Sequence, residues 1–306
     1  MKVMMKQQTI KTEYKYTKIS PTRVDLFVAK QFPYLSRNKI QRMITNKQIL
    51  VNNLPINPSF SVPDSFNLLI NFENQKEFVL EPEDLKIPIV YENEHIIVVN
   101  KPAGMVVHPG AGNFHGTLVN GLIKLYPELA NIGDKYRPGV VHRLDKDTSG
   151  VILIAKTTLA HSDLSSQLKN RKAKKSYYAL VKGTPKEDKS RIEGPISRNQ
   201  KNRKKMSINS YGKEAFTYYE TINKFQNYTL ICAQPETGRT HQIRVHMAAI
   251  GHPIAGDKLY GGRVDFLKRQ FLHAYSITIK IPESNNIETF TAELPNDLTY
   301  TLENLV

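Results

Sequence analysis

Apolar positions along the chain fall into two rhythms. Short runs rich in β-branched residues read as buried or half-buried strands, and apolar residues three or four apart read as helices. The first rhythm is clearest in VVHRLDKDTSGVILIAK, residues 140–156, which predicts an apolar strand from Val140, a tight polar loop, and a second strand over Val151 to Ala155. A loop held between two buried strands is a rigid mount, and its polar groups need partners. Earlier in the chain, Thr22 is expected to cap a helix with Asp25 in its first turn and Val24, Phe27 and Val28 on its apolar face. A second helix is predicted from Ser36, with Ile40, Met43 and Ile44 at helical spacing. QILVNNLPI reads as a hairpin turning at Asn52–Asn53, because Asn tolerates positive φ, and NLLINF (67–72) reads as a further strand. Residues 1–20 show no clear period and carry repeated lysines, so a flexible basic tail is expected there.

The acidic, Pro-containing stretch 73–84 marks a change of composition and is the expected linker. Domains are therefore assigned as 21–80 and 81–306. The second opens with IVYENEHIIVVNKP, two strands with a turn over Tyr91 to Glu94. A helix follows from Thr117, with Leu118, Leu122 and Leu125 on one face and Pro127 ending it. Ala160, Leu164 and Leu168 mark another helical face. Strands are predicted at 177–181, 216–222 and 228–233. In TGRTHQIRVHMAAIGHP, Thr240 is the expected N-cap, Ile243, Met247 and Ile250 share a face, and Gly251 suits the C-terminal cap. A short helix around Leu267, the alternating strand SITIKI and a small C-terminal element complete the pattern. Strands and helices in this order give an α+β class.

Charge adds a partner. The 306 residues carry 43 Lys+Arg against 28 Asp+Glu, a formal charge of +15, which points to a polyanion, and to nucleic acid before a membrane surface. The basic residues cluster. Arg37, Lys39 and Arg42 decorate the second helix; Lys172 and Lys174 belong to one run and Arg203 to another, on either side of an aromatic strand. That arrangement suits a nucleic-acid backbone. One cysteine, Cys232, excludes an internal disulfide and a cysteine metal cluster. The N-terminal stretch lacks the apolar core of a signal peptide and no run has the length of a membrane span, so the cytoplasm is expected. No small-molecule cofactor is expected: Gly110, Gly112 and Gly116 do not have dinucleotide-binding spacing. Nor is a metal. Thr148 follows Asp147 directly, unlike the phosphatase-type pattern, and His241 and His246 are five apart, pointing different ways on a helix.

One carboxylate in a strand-bounded loop, one aromatic strand and one arginine helix remain. A single Asp can act as nucleophile or base without a cofactor. An arginine beside it would keep it ionised and fix its orientation through a forked hydrogen bond. On the residues alone, a structural ion pair between Asp145 and Arg244 is the simpler reading.

Four blocks in order change that balance: KPAGMVVHPG, HRLDKDTSG, KSYYALVKG and GRTHQIRVH. Together they resemble the RNA pseudouridine synthases of the ribosomal large-subunit type, from about Ile89 onward. RVDLFVAKQFPYLSRNKIQRMITNKQILVNN resembles the small RNA-binding domain first described in a small-subunit ribosomal protein. The resemblance implies a mixed, mainly antiparallel sheet with the active loop in a central cleft. It implies that Asp145 is the catalytic carboxylate, that Tyr177 packs against the target base, that Arg244 pairs with Asp145, and that Arg143 fills the gap left by the departing uridine. The implied partner is RNA, large-subunit ribosomal RNA or a pre-ribosomal particle, and the expected state is a monomer. Two other classes remain open: a non-catalytic ribosome-assembly factor, and a nucleoside hydrolase-like enzyme that would release free uracil.

Overall fold

The computed structural model describes residues 10–17, 22–33, 35–72, 80–110 and 113–305. They gather into an N-terminal unit and a larger unit beginning at Leu80.

The N-terminal unit runs β1 (Ile10–Thr17), α1 (Val24–Gln31), α2 (Arg37–Thr45), β2 (Ile49–Val51), β3 (Leu54–Pro55) and β4 (Ser65–Phe72). The sheet order is β1-β4-β2-β3, antiparallel throughout. The expected tail is thus corrected over 10–17, where the chain pairs along all of β4. The signal was the alternation of Ile10, Thr12, Tyr14 and Tyr16 with Lys11, Glu13 and Lys15, a period of two hidden by its charges. The Tyr16 ring packs edge-on to Phe27 and stacks on Phe66. Residues 1–9 and most of the predicted linker, 73–79, lie outside the described residues. Thr22 does not cap α1. Its carbonyl accepts from Val62 N–H, Arg23 bridges Ser61, and the helix starts only at Val24. Ser36 does cap α2, accepting from Lys39 N–H at 3.3 Å. Asn52 and Asn53 both have positive φ, as a tight hairpin turn requires.

The second unit contains β5 (Ile89–Glu92), β6 (Ile96–Lys101), α3 (Leu118–Leu125), β7 (Ser149–Ala155), α4 (Thr158–Lys169), β8 (Lys174–Lys182), β9 (Lys189–Glu193), β10 (Ile196–Arg198), β11 (Met206–Ile208), β12 (Phe216–Lys224), β13 (Tyr228–Pro235), α5 (Gln242–Ala249), β14 (Leu272–Lys280), β15 (Ile287–Thr291) and α6 (Asn296–Glu303). Its main sheet has the order β5-β6-β7-β14-β8-β13-β12-β9, with β15 beside the far part of β14; β10 and β11 form a separate hairpin. Among the pairings of its described residues only β7 with β14 is parallel. β6 and β7 are buried on both faces, which explains their unbroken apolar runs. Ile97, Val99, Ile152 and Ile154 join one core with Leu118 and Leu122 of α3; Ile96, Val98, Val151 and Leu153 join another with Ala160 and Leu164 of α4.

Several expectations in this unit need correction. Val140 makes only an isolated bridge, to Ile154, and no strand runs into the loop. β14 has turned away from β7 at that point, so the loop itself folds back to supply the missing partners: Gly139 O accepts from Ala155 N–H, and His142 Nε2 from Leu153 N–H. Leu125 is half-exposed, because Leu129 in the following 3₁₀ turn takes its place in the core. Around Leu267 no helix forms; Val264, Phe266 and Leu267 do not repeat at helical spacing, and Leu267 alone of these is deeply buried. Ile250 lies at the C-terminal end of α5, beyond the buried face. The capping glycine is as expected: Gly251 has φ +89°, and His252 N–H reaches back to Met247 O.

Candidate active site

Residues 140–148 are fixed through their carbonyls. Asp145 O accepts from Thr148 N–H, Lys146 O from Gly104 N–H and Lys101 Nζ, and Asp147 O from Arg269 Nη1. Lys101 is fully buried at the end of β6 and gives its other protons to Pro102 O and Met105 O, at 2.8 and 2.9 Å. Burial brings its pKa down to about 7, against the raising influence of Asp147 and Asp145. One ammonium thereby ties the KPAGM turn to the HRLD turn. Beyond the loop, Gly150 has φ +114°, and a Cβ there would stand 2.2 Å from Ala274 O. Only glycine lets β7 leave the loop and meet β14 this closely. Ser149 and His273 lock the same junction: Ser149 Oγ lies 3.0 Å from His273 Nδ1, and His273 Nε2 2.9 Å from Ala292 O.

Asp145 projects from this frame with its side chain 19% exposed. Arg244 of α5 donates from Nη1 to Asp145 Oδ2 at 3.0 Å. The rest of its fork goes to buried Asp257, from Nε at 2.6 Å and Nη2 at 3.0 Å. Burial opposes the Arg244 charge, but Asp257 and then Asp145 outweigh it and push its pKa up. Asp257 also accepts from Leu259 and Tyr260 N–H, so it is itself held. Nothing in the sequence pattern singled out Asp257; its signal was a lone Asp between Gly256 and the turn to Gly261, twelve or more residues from Arg244.

His241 precedes α5 with φ +57°, and Thr240 is not its cap. Gln242 organises that turn instead: its Oε1 accepts from Thr237 Oγ1 and Arg239 N–H, and its Nε2 donates to Phe216 O. His241 Nε2 comes within 3.8 Å of Asp145 Oδ2, while Nδ1 lies 2.8 Å from Tyr260 Oη. Burial lowers the His241 pKa, partly countered by Asp145. His246, five residues on, points away, between Thr217 Oγ1 and Gly194 O.

Tyr177, central in β8 between Ala233 and Ala274, is 9% exposed, and burial followed by the Asp145 charge raises its pKa. A cavity of about 420 Å³ has Arg143, Asp145, Tyr177, His241 and Arg244 in its walls. A second, of about 490 Å³, shares all of these except Tyr177 and reaches His108. Such volumes suit a nucleoside-sized ligand. Asp145, Tyr177, Arg244 and Arg143 thus converge, with Arg143 exposed at the mouth. The predicted RNA contacts of the second unit, Lys172, Lys174 and Arg203, do not enter this group. Lys172 and Lys174 are exposed at the turn from α4 into β8, and Arg203 is exposed at the tip of the β10–β11 hairpin. In the N-terminal unit, Lys39 and Arg42 lie on α2, Arg42 exposed, and Arg37 is drawn to buried Asp25, donating from Nε and Nη2. Among the described residues no helix is long and apolar enough to cross a membrane.

Residues 95–249 match the family model for RNA pseudouridylate synthase, and residues 22–65 match that for the S4 domain. The chain belongs to the RNA pseudouridylate synthases. Such enzymes isomerise uridine in RNA to pseudouridine, and the S4 domain adds a second RNA-binding element. An RNA pseudouridine synthase of Bacillus subtilis is 39% identical over 285 residues, 92% of this chain and 94% of the relative. A ribosomal large subunit pseudouridine synthase D of Escherichia coli O157:H7 is 39% identical over 296 residues, 92% of this chain and 90% of its own. The solved structure of human RNA pseudouridylate synthase domain containing 1 superposes with a TM-score of 0.57 at 29% identity, covering 70% of this chain and 85% of the human one. The mixed, mainly antiparallel sheet is the fold of this family.

Proposed function

We propose that this pseudouridylate synthase acts on large-subunit ribosomal RNA in the cytoplasm, with Asp145 as its catalytic carboxylate. Residues 21–80 would grip RNA and residues 81–306 carry out the chemistry. The observation that carries the residue assignment is the 3.0 Å bond from Arg244 to Asp145 within a cavity that Tyr177 also lines. The relatives named ribosomal large subunit pseudouridine synthase D support the substrate.

The target uridine must leave its stack, at a cost of about a few kcal/mol that phosphate contacts can offset. Arg143, at the cavity mouth, fills the gap, and the base lies against Tyr177. Asp145 then attacks C1′, or takes a proton from C2′ to leave a glycal; both routes break C1′–N1 from the same carboxylate. Arg244 keeps that carboxylate ionised and aimed, because Asp257 already holds the guanidinium in place. The freed uracil turns and bonds to C1′ through C5. The product is an isomer, so no redox partner or energy source enters the balance.

Carbodiimide mapping with primer extension tests this. Ribosomal RNA would come from cells lacking the gene, complemented with wild type or Asp145→Asn. Specific large-subunit sites should lose pseudouridine on deletion and regain it with wild type only. Restoration by Asp145→Asn would overturn the catalytic assignment, and unchanged sites in the deletion would overturn the substrate.

A further inference from the structure

The basic run that enters β8 divides between the two faces of the strand. Side chains alternate along a strand, so Lys174, Ser176 and Tyr178 share one face and Lys175, Tyr177 and Ala179 the other. Lys174 is exposed, and Tyr178 stacks on Tyr275. Lys175 is half-buried and lines the same cavity as Tyr177 and Asp145. Its Nζ lies 3.8 Å from where a Cβ on Gly238 would stand, which places the ammonium beside Gly238, another residue of the cavity wall. Burial lowers its pKa to about 8, and no described charge or hydrogen bond offsets that burial. Of the other cations of the cavity, Arg244 is engaged by two carboxylates, Arg239 by Glu214 O and Arg137 by Asp134 at 3.7 Å, while Arg143 and Lys169 are exposed to solvent.

A half-buried cation without an anion costs free energy in the resting protein. It becomes useful if the reaction makes an anion beside it. Breaking C1′–N1 sends the electron pair to the uracil, where it spreads over N1, O2 and O4. Residues two apart on one strand face are about 7 Å apart, and a lysine stem is about as long, so Nζ reaches the rim of a base lying on Tyr177. We propose that Lys175 holds the uracil anion, donating from Nζ to a base carbonyl oxygen as the glycosidic bond breaks. C1′ meanwhile bonds to the Asp145 carboxylate or, in the glycal route, C2′ gives that carboxylate a proton. After the base turns, C5 bonds to C1′ and the carboxylate leaves, or the glycal regains its proton. C5 loses its proton and N1 gains one, so Lys175 ends as it began. Arg244 cannot serve, since both sides of its fork are spoken for.

The inference rests on the roles proposed for Asp145 and Tyr177, and its test must not depend on which RNA is the substrate. Total RNA labelled with [5-³H]uridine, from cells lacking the gene, contains every target. Tritium release would be followed under single turnover at saturating full-length enzyme for wild type, Lys175→Met, Lys175→Gln and Lys175→Arg, with melting curves as the folding control. Removing one preorganised donor to a developing anion costs about 100-fold in rate. The Met and Gln variants should lose about that much, with half-saturating enzyme concentration changed less than about twofold, and Arg should restore most of the rate. Equal rates for all four proteins would overturn the proposal. So would an unchanged maximal rate with a raised half-saturation, which would make Lys175 a phosphate contact. Separating the released tritium by RNA fraction tests the ribosomal substrate independently.

Discussion

At the scale of single residues, the site turns on how one guanidinium is shared. Arg244 gives two donors to Asp257 and one to Asp145, so Asp257 fixes the arginine and leaves Asp145 attached by a single bond. A carboxylate that must form and break a bond to C1′ benefits from a partner that stays in place when it moves. Asp257→Asn keeps the shape and removes the charge, which leaves Asp145 as the sole counter-ion and draws it toward the arginine. A displacement of that kind costs about 10²-fold in rate. The expected outcome is a fall of about that size in kcat with KM nearly unchanged, measured on ribosomal RNA with the melting temperature recorded alongside. A loss confined to KM would place Asp257 in substrate binding instead. Asp145, Tyr177 and Arg244 were legible because each sits in a block with its own pattern. Asp257, Tyr260 and Lys101 were not, because their importance lies in contacts that only the fold creates.

Among elements, the junctions matter more than the strands and helices they join. β6 and β7 could be read from unbroken apolar runs, since burial on both faces leaves an unambiguous pattern, and β8, β13 and β14 from their apolar and alternating positions. β1 and β9 could not: charged residues break up their apolar pattern and their partners, β4 and β12, are distant in sequence; β10 is only three residues long with one apolar position, Ile196. Lys101 shows what a junction contributes. Its ammonium serves Pro102, Met105 and Lys146 carbonyls; Lys146 O keeps Gly104 N–H, so Lys101→Met leaves two acceptors, Pro102 O and Met105 O, without donors at about 1 kcal/mol each. Denaturant unfolding should show a loss of about 2 kcal/mol. In the N-terminal unit, Asp25 joins α1 to α2. Burial alone would raise its pKa, but hydrogen bonds from Gln41, Arg23 and Arg37 bring it down to about 2 from 3.8. The folded value lies below the unfolded one, so this stabilisation is complete above about pH 4 and fades as pH falls toward 2. The shift corresponds to about 2 kcal/mol. Asp25→Asn should therefore unfold this unit more easily than wild type at pH 5, with the gap narrowing as pH falls through about 3 and closing only below about pH 2; a gap independent of pH would mean that charge is not what Asp25 supplies.

On the scale of the whole molecule, a charge of +15 is spread over two units on one chain. When two modules grip one ligand, the second engages at the effective concentration set by the connecting segment, so affinity exceeds what either module gives alone. The salt dependence of binding reveals how many phosphates each module neutralises, because each phosphate left without its cation lowers the slope of log K against log salt by about 0.7 to 0.9. Arg42 in the N-terminal unit and Arg203 on the β10–β11 hairpin are both exposed and far from the Asp145 cavity in sequence. Arg37 is a poor choice for such a test, since removing it also strips Asp25 of a partner and confounds binding with stability. Arg42→Gln and Arg203→Gln should each reduce the slope by somewhat less than one, and the double variant by the sum. The single-turnover rate at saturating enzyme should stay that of wild type in all three, because neither side chain lines the cavity. Filter binding to large-subunit RNA between 50 and 200 mM salt, a range of about the width used to define such slopes, makes the measurement. If Arg42→Gln leaves the slope unchanged while Arg203→Gln lowers it, the RNA is held by the larger unit alone and the S4 domain serves some other contact.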